Sequence, residues 1–122
     1  MRATIRPSAP GDELPTTPFL LSIDIAAGRV AIHGDFDRQH VERFLDAIGL
    51  LDQSPSPTWS VDVAAVSFCD AGGLRGLLAA QRFAEQTGRT FRVTGAGPWM
   101  RHLLPLIGLT AVRPSRILRS VN

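Results

Sequence analysis

The stretch from residue 59 to residue 78 constrains the fold most, because its hydrophobic period changes partway along it. One side of an extended chain would carry Trp59, Val61 and Val63, and this period of two is typical of a β-strand. Beyond a Gly-Gly pair, the apolar side chains recur at helical spacing (Leu74, Leu77 and Leu78). Asp70 stands between the two patterns, where an N-cap residue is expected. The stretch therefore predicts a strand, a tight turn and a helix.

The rest of the chain predicts further elements of both kinds. Residues 19–25 and 29–33 alternate and are joined by a short turn, which favours an antiparallel hairpin. Residues 34–37 are expected to end the second strand and to open a helix with a clear apolar stripe (Val41, Phe44, Leu45, Ile48 and Leu51). Residues 90–94 predict another strand, and Pro98 begins a helix that Pro105 should kink or shorten. A last short strand is expected near residues 111–112.

The predicted order β-β-α-β-α-β-α contains two β-α-β crossovers, which require parallel neighbouring strands and right-handed connections. The hairpin adds an antiparallel strand. The expected fold class is therefore α/β, with a mixed sheet of four to five strands packed with helices. We assign residues 19–112 to this single domain. The proline-rich residues 1–18 are expected to form a flexible leader, and residues 113–122 a basic C-terminal tail.

Charge and composition narrow the possible functions. All 13 basic residues are arginine, and residues 89–122 hold six arginines and no acid. These arginines are scattered and do not alternate with aromatic residues, so a solvated basic rim is expected and no direct nucleic-acid contact. The single cysteine fits a reducing compartment, and no apolar run approaches the ~20 residues of a membrane helix. We therefore expect a cytoplasmic protein without membrane insertion.

Metal and cofactor sites have little support in the sequence. The three histidines, His33, His40 and His102, show no i,i+4 pairing and no neighbouring cysteine. No metal site and no cofactor are therefore predicted. Both tryptophans, Trp59 and Trp99, are expected in the core, with an exposed binding hot spot as the alternative for Trp99.

Three motifs in the correct order carry a family resemblance. The run VDVAAVSFCDAGGLRGLLAA resembles the signature of the STAS domain, the fold of anti-sigma-factor antagonists. Residues 34–37, with the sequence GDFD, resemble an upstream element of the family, and residues 103–109 resemble a late element. The resemblance covers about residues 19–112. It implies a non-enzymatic bacterial binding module that regulates transcription by partner switching.

The resemblance also implies where a partner binds. In this family, the residue after the motif's aspartate is usually a serine or threonine. A partner kinase, itself the anti-sigma factor, phosphorylates this residue and so breaks the complex. Here the phosphoacceptor-equivalent position is Ala71, which has no hydroxyl group. The predicted partner is an ATP-binding anti-sigma kinase, bound without phosphorylation at this position. Its predicted binding residues are Asp37, Asp70, Ala71, Gly72, Gly73, Leu74 and Arg75.

Several roles at this turn have structural alternatives. The carboxylates of Asp37 and Asp70 are both expected to serve as helix N-caps, which is compatible with a place beside the docking turn. Gly72 and Gly73 could cradle a phosphate. We favour the interpretation that they allow a sharp backbone turn and the close approach of a partner.

Two other functions stay open at this point. One is a STAS subunit bound to the ATPase of a lipid-transporting ABC system. The other is a cysteine-dependent phosphatase, because Cys69 and Arg75 have the C-x5-R spacing of such enzymes. Asp70 directly follows the cysteine and would repel both a thiolate and a phosphate. A half-buried cysteine that closes a strand is therefore the preferred interpretation.

Overall fold

A computed structural model describes residues 18–109 and the backbone of residues 111–112. The predicted leader, apart from Pro18, and the predicted tail lie outside the described residues. The described residues form five strands and three α-helices, and short 3-10 turns extend α1 and α3. The elements are β1 Leu20–Asp24, β2 Arg29–Phe36, α1 Val41–Leu50, β3 Thr58–Cys69, α2 Ala71–Gln86, β4 Thr90–Thr94, α3 Pro98–Leu103 and β5 Ala111–Val112.

The strands form one mixed sheet in the order β1-β2-β3-β4-β5. The β1–β2 pair is antiparallel, and each of the other neighbouring pairs is parallel. Each parallel pair is joined through a helix, and every connection moves the chain one strand further in the same direction. Right-handed crossovers of this kind place α1, α2 and α3 on the same side of the sheet. No helix of the described residues covers the other side, here called the open face. The predicted fold class is confirmed.

The core lies between the sheet and the helices, and β3 shows how the sequence builds it. Trp59, Val61 and Val63 are buried, whereas Ser60 and Asp62 between them stay partly accessible on the open face. The helices and the 3-10 turns that follow α1 and α3 supply the opposite wall of the core, with fully buried side chains (Phe44, Ile48, Leu51, Leu77 and Leu104). The apolar strand residues, which recur with period two, therefore pack against the apolar helix residues, which recur at helical spacing, in one interface.

β2 is longer than its alternating pattern, which reaches only His33. The strand continues to Phe36 because it pairs with β3 as far as Cys69. Two register shifts interrupt this pairing, one between Ala31 and His33 and one between Gly34 and Asp35. Gly34 lies within the extension at φ 92° and packs against the carbonyl group of Pro18. A glycine followed by an aspartate looks like a strand end in the sequence, but pairing with β3 overrides that local signal.

The structure also tests the expectations for Pro105, for the two tryptophans and for the basic rim. Pro105 does shorten the helix, since α3 ends at Leu103 and a 3-10 turn follows. Trp59 is fully buried as predicted, but the prediction for Trp99 is wrong, because half of its surface is exposed. Its helix is short, and Met100 and Leu104 provide the buried positions instead. Arg89 is not part of a solvated rim. It stacks over Trp59 and donates hydrogen bonds to the segment before β3.

Candidate functional site

The β3–α2 turn is organised by the carboxylate of Asp70. Its backbone is extended at φ −99° and ψ −175°, and its Oδ1 accepts a hydrogen bond of 2.9 Å from the Gly73 amide. Its Oδ2 accepts a longer bond of 3.4 Å from the Arg38 amide, at the start of the β2–α1 turn. The Gly73 bond is the main reason that the pKa of Asp70 lies below its usual value. The prediction that Asp70 caps α2 is confirmed.

The Gly-Gly pair does not make the sharp turn that was expected of it. Neither glycine has a positive φ, because both are already in the first turn of α2. A β-carbon on Gly72 would lie 2.8 Å from Cβ of Arg38. One on Gly73 would overlap the Phe36 carbonyl oxygen and lie 2.9 Å from Sγ of Cys69. The pair therefore lets the start of α2 rest directly on the end of β2, and the sharp turn is made at Asp70. A phosphate cradle has no support, since the Gly73 amide already binds Asp70.

The remaining predicted residues of α2 are more accessible. Ala71 is the first residue of the helix and is exposed, as is Arg75 one turn later, whereas Leu74 is partly buried. Beside them runs a groove of about 280 Å³ between α1 and α2, here called the α1–α2 groove. Its lining combines apolar, small and charged side chains (Arg38, Val41, Glu42, Leu45, Gly72, Arg75, Gly76 and Ala79).

Asp37 does not cap α1 as predicted. The residue at the N-cap position is His40, which makes no side-chain capping bond. Asp37 Oδ1 instead accepts from the Gln39 amide at 3.0 Å and lies 3.0 Å from Nδ1 of His40. The His40 ring stacks on Phe19 with 4.2 Å between the ring centroids. Asp37 therefore shapes the β2–α1 turn, and the predicted helix start was three residues too early.

Arg38 is a site residue that sequence analysis missed. Its amide reaches Asp70, and its side chain lines the α1–α2 groove together with Arg75. The available signal was topological: the carboxyl ends of parallel β2 and β3 must lie at the same edge of the sheet. The residues that follow these strands, 37–38 and 70–71, are therefore neighbours. The structure brings Arg38 and the predicted residues at the start of α2 together at this edge.

Cys69 is buried as the last residue of β3, and its thiol donates a weak hydrogen bond of 3.6 Å to the Asp70 carbonyl oxygen. Burial, and secondly the negative charge of Asp70, raise its pKa to about 12. A catalytic cysteine needs a lowered pKa, because the thiolate is the nucleophile. The geometry therefore argues against the cysteine-dependent phosphatase.

Two further expectations concern metal sites and membrane helices in the described part of the chain. Within it, no three or more His, Cys, Asp or Glu side chains are grouped so that they could hold a metal ion. None of its helices combines the length and apolar character that crossing a bilayer requires.

Comparisons with known proteins agree with this architecture. A family model described as "Mlab, STAS domain" matches residues 19–118. Among solved structures, an anti-sigma factor antagonist from Mycobacterium paratuberculosis is similar with a TM-score of 0.61 and 25% sequence identity. That match covers 93% of this chain and 97% of the other.

Two further structures share the fold at lower identity. The anti-sigma factor antagonist SpoIIAA in its unphosphorylated form has a TM-score of 0.60 and 20% identity, over 85% of this chain and 100% of that one. The murine anion transporter Slc26a9 has a TM-score of 0.53 and 17% identity, over 67% of this chain and 14% of the transporter. No curated protein sequence matches. Because the family model spans most of the chain, and its fold is that of the antagonists, the chain belongs to the STAS domain family.

Proposed function

We propose that this protein is a non-enzymatic module of the anti-sigma-factor-antagonist type, which binds an ATP-binding anti-sigma kinase through the start of α2. The observation that carries the proposal is Ala71. It is exposed as the first residue of the capped helix, directly after Asp70, where the family resemblance places the phosphoacceptor. The similarity to the mycobacterial antagonist over nearly all of both chains supports it. In this proposal, the kinase binds the protein without phosphorylating residue 71.

The surface around Ala71 is suited to docking. The α1–α2 groove begins beside it and offers Val41 and Leu45 as apolar contacts. Arg38 and Arg75 line the same groove and would attract acidic side chains of a partner, with Glu42 as the one acid among the lining residues. Helix α2 is fixed by its cap and by the packing of its glycines. A partner would therefore meet a surface that is largely formed before binding.

The first experiment is affinity capture of the tagged protein from its native cells, with mass spectrometry of the bound proteins. We expect an ATP-binding anti-sigma kinase. The affinity of the purified kinase is then measured for the wild type and for Ala71→Asp, which installs a negative charge where a phosphate would stand. We expect at least ~10-fold weaker binding, equivalent to about 1.4 kcal/mol. An aspartate at the helix N-terminus does not destabilise the helix, so unfolding would not explain the loss.

A matched control separates local charge from net charge. Gln86→Glu adds one negative charge to the exposed last turn of the same helix, and we expect its affinity to stay within twofold of the wild type. Ala71→Ser restores the missing hydroxyl and should become phosphorylated by the captured kinase with ATP, whereas the wild type should stay unmodified at residue 71. Unchanged affinity in Ala71→Asp would place the docking surface elsewhere.

A second candidate is a subunit bound to the ATPase of a lipid-transporting ABC system. Its support is that the same fold occurs within the structure of a membrane transporter, Slc26a9. Capture of a transporter ATPase instead of a kinase would favour this function. The Ala71→Asp measurement would then be repeated with that ATPase.

A further inference from the structure

We propose that the open face of the sheet carries a binding site for a small phosphorylated anion, separate from the start of α2. A concavity of about 440 Å³ lies on this face, over β2, β3 and β4. Its floor is made of small residues and its rim of longer ones (Ala27, Arg29, Ser56, Thr58, Ser60, Asp62, Ala64, Arg92, Thr94 and Gly95). Neither the docking of a partner at α2 nor the packing of the core uses these side chains.

Strand register places two arginines on either side of one serine. Arg29 of β2 pairs with Ser60 of β3, and Ser60 pairs with Arg92 of β4. Paired residues point to the same face of a sheet, and adjacent strands lie about 4.8 Å apart. The two arginine backbones are therefore about 10 Å apart with Ser60 between them. Both guanidinium groups can reach an anion seated above the Ser60 hydroxyl.

Among the described residues, one guanidinium group that lines the concavity has no partner. Arg29 contacts the carboxylate of Asp62 at 3.4 Å, and its side chain is half exposed. Asp62 also accepts a 2.9 Å hydrogen bond from the Ala64 amide, so both of its oxygens have donors. Within residues 18–109, the side chain of Arg92 makes no hydrogen bond or ion pair. Two arginines and one aspartate give this lining a net positive charge. Asp24 lies opposite Arg29 in the strand register of β1 and β2, outside the lining.

The uncharged residues that line the concavity are also suited to binding an oxyanion. Hydroxyl groups come from Thr58, Ser60 and Thr94, and a hydroxyl can donate to phosphate oxygen. The Ser56 hydroxyl already donates to the Thr58 carbonyl oxygen at 2.7 Å. Gly95 keeps the floor open, because a β-carbon there would lie 2.6 Å from Oδ1 of Asp62 and 2.8 Å from Cβ of Ala64. Planar guanidinium groups bind phosphate through paired hydrogen bonds. The chemistry therefore fits a phosphate or pyrophosphate group better than a neutral ligand.

Inorganic pyrophosphate is the probe for the test, titrated at low ionic strength by calorimetry and by amide chemical shifts. We expect saturable binding, with shifts concentrated at Ser60 and Thr94. Arg92→Gln should weaken binding by at least ~10-fold, since it removes a pair of charge-assisted hydrogen bonds. Ser60→Leu, which fills the floor with an apolar side chain, should abolish binding. Arg82→Gln removes the same charge from an exposed position on α2, and should change the affinity less than twofold.

Three results would overturn the proposal. The first is the absence of saturable binding, and the second is an equal loss in Arg92→Gln and Arg82→Gln, which would indicate attraction to net charge alone. The third is binding of a single-stranded oligonucleotide across the open face with no response to pyrophosphate. The thermal midpoint of each variant is measured first, because loss of binding counts only in a folded protein.

Discussion

Gly73 and Gly49 offer the same substitution in two opposite environments. Both are helical, Gly73 in the first turn of α2 and Gly49 near the end of α1. An added β-carbon on Gly49 meets nothing within 4 Å. On Gly73 it overlaps the Phe36 carbonyl oxygen and lies 2.9 Å from Sγ of Cys69. Replacement by alanine therefore tests whether α2 rests on β2 as closely as the structure shows.

The two substitutions should change the free energy of unfolding in opposite directions. Alanine is favoured over glycine in a helix by about 1 kcal/mol, so Gly49→Ala should raise the free energy of unfolding by ~0.5–1 kcal/mol. The same gain applies to Gly73→Ala, but the new methyl group collides with a backbone carbonyl that β2 holds in place. Overpacking of this kind costs about 1–3 kcal/mol or more, because the strand or the helix must move. We expect Gly73→Ala to lose ~2 kcal/mol overall.

Urea unfolding followed by far-UV circular dichroism measures both variants. With a slope of ~1–3 kcal/mol/M for a small domain, a loss of ~2 kcal/mol lowers the midpoint by about 1 M. Gly49→Ala should move it slightly upward. If the urea midpoint of Gly73→Ala is at or above that of the wild type, α2 does not pack against β2 as closely as the structure shows. The Gly-Gly pair would then not be needed for this packing.

Three further predictions concern the cap, the thiol and the partly buried Arg89. Asp70→Ala should cost about 1 kcal/mol through loss of the cap. Because the folded pKa of Asp70 is lowered, its contribution is present above its unfolded pKa near 4 and is lost as the pH falls. Asp70→Asn should therefore show a flatter stability curve than the wild type between about pH 4 and 2, and parallel curves would contradict the hydrogen bond to Gly73. Cys69, with a pKa of about 12, should react with a thiol reagent at pH 8 only after unfolding in urea; rapid labelling of the native protein would refute its burial. Arg89 donates bonds of 2.9–3.1 Å to Asp52 and Ser54, so Arg89→Lys should lower the free energy of unfolding by ~1–3 kcal/mol. An unchanged urea midpoint would show that this network contributes little.

Much of the fold could be predicted from local patterns. The bounds of β4 agree with the structure, and the apolar stripe of α1 supplies two of its three buried residues, Phe44 and Ile48, because hydrophobic spacing directly reflects which side of an element is covered. The cap of α2 was also predictable, since an aspartate one residue before a helix can bond to the first-turn amides without help from the rest of the chain. These features depend on residues that are close in sequence.

The candidate site was predictable only in part. Its motif identified the start of α2, but the Asp37 carboxylate was assigned to the wrong role and Arg38 was missed. Both errors concern the β2–α1 turn, whose place beside α2 depends on the pairing of β2 with β3. A register shift moves side chains relative to their neighbours, and the sequence contains no local signal for the shifts in this pair.

The sequence by itself determined the alternation of strands and helices, the hydrophobic faces and the absence of a hydroxyl at residue 71. Only the tertiary structure decided that β2 continues to Phe36 and that the glycines of α2 pack against its end. It also decided that Arg29, Ser60 and Arg92 share one row of the open face. The physical reason is that period and capping act over a few residues. Pairing and close packing depend on residues about 30 positions apart, whose contacts form only when the whole sheet is assembled.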